Sequence, residues 1–239
     1  MSDEALPRRR FLLGAGTAVA AGLGAPVQPP AVAQAAEASA AAEPAAPEAE
    51  PLLTLTATEH AFVVAAADTL IPADELTPSG SECGVATFID RQLASAWGGG
   101  AKMYRSGPFR KGKPEQGYQL PLTPREFFAA GIAATNAWTT KTYGKDFDRL
   151  SAKRREEALK ILDQGKAEFP EFDLKLFFNA LLDITMEGFF ADPIYGGNRN
   201  KVAWKMLGFP GLPATYAKLI EQYRGKRYRG EPQSIADFS

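Results

Sequence analysis

An all-α fold is what this sequence predicts: an irregular helical bundle with long loops, set behind a disordered N-terminal signal and tether. Three observations predict it. Apolar residues recur at helical spacing in several segments that open on capping residues. No alternating apolar pattern of useful strand length occurs. One segment, Leu174 to Phe190, is apolar around most of its circumference, as a helix enclosed by others must be.

Three stretches follow one another along the chain. Residues 1–33 read as an export signal. Arg8, Arg9 and Arg10 precede an apolar stretch from Phe11 to Ala25. A bilayer-spanning helix needs about 20 residues; this stretch has 15, among them Gly14, Gly16, Gly22 and Gly24. It is a signal core rather than an anchor. The pair Arg8-Arg9, followed by Phe11-Leu12, resembles a twin-arginine translocation signal, with Pro7 where Ser or Thr is usual. Ala31-Val32-Ala33 suits cleavage. Residues 34–51 are almost entirely Ala, Pro and Glu. Such a segment buries too little apolar surface to offset its ordering entropy and reads as a disordered tether. Residues 52–239 form one folded domain by size.

Within that domain, Thr56 and Glu59 form a capping box, and a helix carries Phe62, Val63, Ala66 and Leu70 on one stripe until Ile71-Pro72 ends it. A second helix runs from Val85 to about Trp97. Thr123-Pro124-Arg125-Glu126 places an N-cap, a first-turn Pro and a third-position Glu in order, and opens a third helix that runs to Tyr143. Ser151 caps a fourth, with Ala158, Leu159 and Leu162 inward. Asp173 caps the fifth, whose polar residues Lys175, Asn179, Asp183 and Glu187 stand four apart in one narrow stripe. That helix is expected at the middle of the bundle. Short helices over 202–207 and 214–223 complete the fold.

Composition excludes several function classes. The chain has 239 residues, with 27 Lys and Arg against 28 Asp and Glu. A general nucleic-acid binder would be net basic. One cysteine, Cys83, and one histidine, His60, leave no internal disulfide, no thiolate cluster and no Cys-x-x-Cys-His haem attachment. The pair Gly196-Gly197 lacks dinucleotide-loop spacing, and no strand precedes it.

Candidate chemistry is sparse. Asp183 and Glu187, one turn apart, can in principle bind a metal or share a proton. Di-iron carboxylate bundles need two Glu-x-x-His motifs, however, and a solvent-facing or partner-facing polar stripe is the simpler reading. His60 has no serine or cysteine elbow beside it. Cys83 reads as a sequestered thiol, with pairing to a partner's cysteine as the alternative. Two long loops stand out. Residues 97–122 hold six glycines, three prolines, the aromatics Trp97, Tyr104, Phe109 and Tyr118, and the bases Lys102, Arg105, Arg110, Lys111 and Lys113 against the single acid Glu115. Loops beyond about 12–15 residues are usually functional, and aromatics with Arg are typical of interfaces. An arm lying on a partner is expected here. The second loop, 188–200, adds Phe189, Phe190 and Tyr195 as interface candidates, with Trp204 beyond it. Its Asp192-Pro193 forces a turn, and Asn198 or Asn200 can cap the next helix.

Several runs together look like the gluconate 2-dehydrogenase subunit 3 family: Ala67 to Asp74, Gly84 to Leu93, Gly107-Pro108-Phe109, Gln116 to Gln119, Leu122 to Glu126, Glu187 to Asn198, Trp204-Lys205, and Gly208 to Gly211. Asp192-Pro193-Ile194-Tyr195-Gly196-Gly197-Asn198 is the most specific of them. The resemblance covers about 57–225. It implies the non-catalytic small subunit of a membrane-associated dehydrogenase for sugars or sugar acids. In such complexes the catalytic subunit resembles glucose–methanol–choline oxidoreductases and holds FAD, and a multihaem cytochrome c passes electrons to quinone. The small subunit would carry the twin-arginine signal, meet the twin-arginine translocase, and escort the folded flavoprotein to the periplasm, where partners hold it at the inner membrane. It would bind no cofactor and supply no catalytic residue. Two rival readings are a stand-alone exported helical enzyme using Asp183 and Glu187, and a small-ligand-binding protein.

Overall fold

The computed structural model describes residues 51–239 apart from 111, 114, 115, 213, 214, 229 and 239. The signal residues Arg8, Arg9, Phe11 and Leu12, and the tether to residue 50, lie outside that range. The described residues form seven α-helices: α1 (Ala57–Leu70), α2 (Val85–Ala94), α3 (Pro124–Tyr143), α4 (Ala152–Asp163), α5 (Leu174–Phe190), α6 (Val202–Leu207) and α7 (Ala217–Gln222). Short 3-10 turns cover Phe147–Arg149, Pro193–Tyr195, Arg199–Lys201 and Ile235–Phe238. No strand occurs among the described residues; one isolated bridge joins Gly211 and Gln233.

Local chemistry sets the helix starts. Thr56 Oγ1 accepts the Glu59 amide at 3.3 Å, while Glu59 Oε2 accepts the Thr56 amide at 2.8 Å. Thr123 and Glu126 repeat the box at the head of α3, with Pro124 in the first turn. Ser151 and Asp173 accept the amides of Arg154 and Leu176 to start α4 and α5. Each such cap is worth about 1 kcal/mol.

Two boundaries differ from the sequence expectation. Helix α2 stops at Ala94, because Ser95 turns extended and its hydroxyl donates back to the Gln92 carbonyl at 2.7 Å. Trp97 therefore sits outside the helix. Helix α7 begins at Ala217, not 214.

Helix α5 is the hub, touching α1, α2, α3, α4 and α6. Phe177, Phe178, Leu181, Ile184 and Phe189 are buried, while Lys175, Asn179, Asp183 and Glu187 face outward. Phe177 sits among Phe62, Phe127, Phe128 and Phe172, with ring centroids 5.8–6.5 Å away. Burying each such ring contributes about 1.5–3 kcal/mol. Helix α3 comes this close because residue 131 is glycine: a β-carbon there would lie 2.1 Å from the Phe177 ring.

The chain entering α1 is anchored by a carboxylate from elsewhere. Asp90 of α2 is buried, and it accepts the amides of Leu53 at 2.6 Å, Thr54 at 3.0 Å and Leu55 at 2.8 Å. Backbone donors thus satisfy a charge that would otherwise be costly to bury.

Candidate functional site

The loop between α2 and α3 is fixed at both ends and exposed between them. At its start, Ala101 and Gly100 donate to the carbonyls of Ala96 and Trp97, and the Gly98 carbonyl accepts the Arg125 amide at 3.1 Å. Arg125 Nε reaches back to the Leu93 carbonyl at 2.9 Å, tying α3 to the end of α2. At the far end, Leu120 and Leu122 pack on the core, and Tyr118 stacks on Phe127 with centroids 4.1 Å apart and planes 5° from parallel. The Tyr118 hydroxyl is buried with no hydrogen-bond partner among the described residues. Burial, helped by the Glu126 carboxylate, pushes it up to about 12.

Between these anchors most of the described side chains are exposed. Tyr104 is 76% exposed, and Trp97 and Phe109 are exposed with it. Lys102, Arg105, Arg110 and Lys113 are exposed on the same stretch. The result is a cationic, aromatic surface held on the bundle by its two ends. Tyr118, expected as an interface residue, belongs instead to the seam where the loop meets the core.

The 188–200 connection is built differently. Gly197 lies so close to α5 that a β-carbon there would come within 2.1 Å of the Gly188 carbonyl oxygen. Asn198 is fully buried; its Nδ2 donates to the Ala191 carbonyl and its Oδ1 accepts the Ala203 amide, both at 2.9 Å. Asn198, not Asn200, therefore serves the first turn of α6. Asp192 accepts the amides of Ile194 and Ile235 at 3.0 and 2.9 Å, joining the turn to the C-terminal segment.

This knot corrects two interface candidates. Phe189 is 4% exposed and packs edge-on to Phe190, which is half-buried. Trp204 is 6% exposed, and its indole N–H donates to the Phe190 carbonyl at 2.9 Å. Both rings are spent inside the chain. Tyr195 and its neighbour Ile194 remain exposed.

The other candidates are quickly placed. Partial burial, with Asp183 one turn away, pushes the Glu187 carboxyl above its usual range. No group of three or more His, Cys, Asp and Glu gathers at one point among the described residues. His60 is half-buried on α1. Cys83 is free and buried, with its thiol near the Pro78 carbonyl at 3.6 Å. Burial, and then the Glu82 charge, push that thiol up, which makes it a poor nucleophile. Sequence reasoning missed Asp90, whose partners are backbone amides 35–37 residues away.

Comparison with known proteins places this geometry. Neither the curated proteins nor the solved structures gave a match. The family model described as gluconate 2-dehydrogenase subunit 3 matches residues 57–211, more than half of the chain and inclusive of both loops. The chain belongs to the gluconate 2-dehydrogenase subunit 3 family.

Proposed function

We propose that this chain is the non-catalytic small subunit of an exported FAD-dependent dehydrogenase for sugars or sugar acids, and that the 97–122 loop is its grip on the flavoprotein subunit. A subunit 3 protein works within a dehydrogenase complex with other subunits. The observation that carries the finer reading is the loop itself. Exposed Trp97, Tyr104 and Phe109 stand among four exposed bases on a backbone anchored at both ends, the residue types that dominate binding energy at interfaces.

We infer that the chain itself holds none of the complex's redox groups. Gly196 and Gly197 are filled against Arg91 and Gly188 rather than opened toward a phosphate, and no Cys-x-x-Cys-His run exists. In this reading FAD belongs to a glucose–methanol–choline-type partner and haem c to a cytochrome partner. The Arg8-Arg9 signal supports passage of the folded pair through the twin-arginine translocase to the periplasm, where the partners hold the complex at the inner membrane.

The test is co-expression with the catalytic subunit. Deleting residues 100–120 is expected to leave a helical circular-dichroism spectrum and to abolish co-purification. Retained co-purification overturns the role of the loop. A purified lone chain that reduces a dye with a sugar substrate overturns the subunit reading. Arg8→Lys with Arg9→Lys is expected to leave both subunits in the cytoplasm; normal export of the pair would show another route.

A further inference from the structure

Beyond Gly211 the chain leaves the stretch that the family model matches, and its character changes. Helix α7 is not among the elements that pack closely on the bundle. From Tyr216 to Tyr228 the sequence holds Lys218, Arg224, Lys226 and Arg227 against the single acid Glu221. All four bases are exposed, and none forms an ion pair or a side-chain hydrogen bond with a described residue. Cations gathered so closely repel one another unless an anionic surface meets them. The same segment is amphipathic. Helical spacing puts Tyr216, Leu219, Ile220 and Tyr223 on one side of α7, and Lys218, Glu221 and Gln222 on the other. The apolar side is braced at both ends. The Tyr216 hydroxyl donates to the Gly211 carbonyl at 2.5 Å, and its ring meets Phe209 edge-on. Tyr223 meets Tyr228 edge-on, with centroids 5.1 Å apart. Between these braces Ile220 is 62% exposed.

We propose that residues 216–228 are a docking surface for an anionic phospholipid bilayer. Charge complementarity carries the inference. The four bases follow one another along the chain with no internal acid to neutralise them, as in the basic clusters that recognise anionic headgroups. Tyrosine, with an apolar ring and a wet hydroxyl, suits the headgroup level of a bilayer. Ile220 supplies an apolar side chain to enter the acyl boundary. No described helix is long and apolar enough to cross a membrane, so the contact is one of surface. The 97–122 loop lies inside the residues that the family model matches, whereas 216–228 lie outside them. A partner common to the family therefore does not account for this second basic and aromatic segment. The inference goes beyond the flavoprotein-subunit reading and does not rest on it, so either can fail alone.

The test is hydrogen exchange of the amides of residues 216–228 in the full chain, alone and with phosphatidylcholine vesicles that contain about 30% phosphatidylglycerol. The readout is local because Arg8, Arg9 and Arg10 with their apolar neighbours can also touch lipid. Anionic vesicles are expected to slow exchange about fivefold, and phosphatidylcholine alone to leave it unchanged. Protection should vanish in about 500 mM NaCl. Each base adds about a fivefold preference for such a surface, so K218Q/R224Q/K226Q/R227Q should weaken binding by more than about a hundredfold. That variant changes only exposed side chains without described partners, and its Tm should match that of the unsubstituted chain. I220S should weaken binding about fivefold. Unchanged exchange with anionic vesicles overturns the proposal, as does protection that survives in the four-base variant or that pure phosphatidylcholine gives equally. So does protection that appears only when the catalytic subunit is added, which would make the segment a protein contact.

Discussion

The 97–122 and 188–200 loops look alike as sequence and differ as structure. Both are rich in glycine and aromatics and contain proline. The second is consumed by the fold: Gly197 against a carbonyl, Asn198 bonded on both sides, Phe189 and Trp204 buried. The first spends only its ends on the fold and turns Trp97, Tyr104 and Phe109 outward. Polar bonding of the backbone separates them. Where the buried Asn198 side chain bridges Ala191 and Ala203, the flanking Phe189 and Trp204 are core, and Tyr195 alone of the connection's aromatics is left exposed. Where the loop's middle bonds only to itself, as Tyr104 does to the Gly107 carbonyl and Lys113 to Gln116, its aromatics stay on the surface.

That contrast is testable by substitution. Gly197→Ala should be the most damaging change, since its new methyl meets a backbone carbonyl at 2.1 Å. A loss of about 3 kcal/mol, or roughly 6–12 °C in Tm, is expected. Asn198→Ala should cost about 2–3 kcal/mol by stranding the Ala203 amide and the Ala191 carbonyl, readable in a denaturant titration. A neutral Asn198→Ala would break the comparison. Tyr118→Phe removes a buried hydroxyl that has no partner among the described residues, and should leave the unfolding free energy unchanged or raise it by up to about 1 kcal/mol. Tyr104→Ser with Phe109→Ser should change stability by less than about 0.5 kcal/mol while weakening capture of the catalytic subunit, measured by co-purification. The smallest effect concerns pH. Glu187 binds its proton more tightly folded than unfolded, so its contribution favours the fold when protonated and is lost as pH rises from the ordinary 4.5 through the raised value. Glu187→Gln should flatten that part of a Tm–pH profile.

The sequence was most legible where structure depends on neighbours within four residues. Thr56, Thr123, Ser151 and Asp173 cap the helices that their spacing predicts, and the outward stripe of α5 follows from residues four apart. It was least legible where residues distant in the chain meet. Asp90 reads as an ordinary helical acid, because its partners are amides of residues 53–55 and carry no side-chain signal. Arg91 and Arg199 stand 108 positions apart in the sequence, and only packing around Gly84 and Gly196 brings them to one cavity. Phe189 and Trp204 carry no local sign of burial in the sequence; they are inward because α5 and α6 are joined through the Asn198 side chain.

The Asp90 anchor also has a mechanical meaning. Anything that tugs on the N-terminus meets three hydrogen bonds on one carboxylate before it reaches the first turn of α1. Load passes sideways into α2, which is packed on α5, instead of unwinding the bundle from its first residue. The arrangement works as strain relief on a cable: residues 51–55 can be under tension while the bundle behind them stays folded.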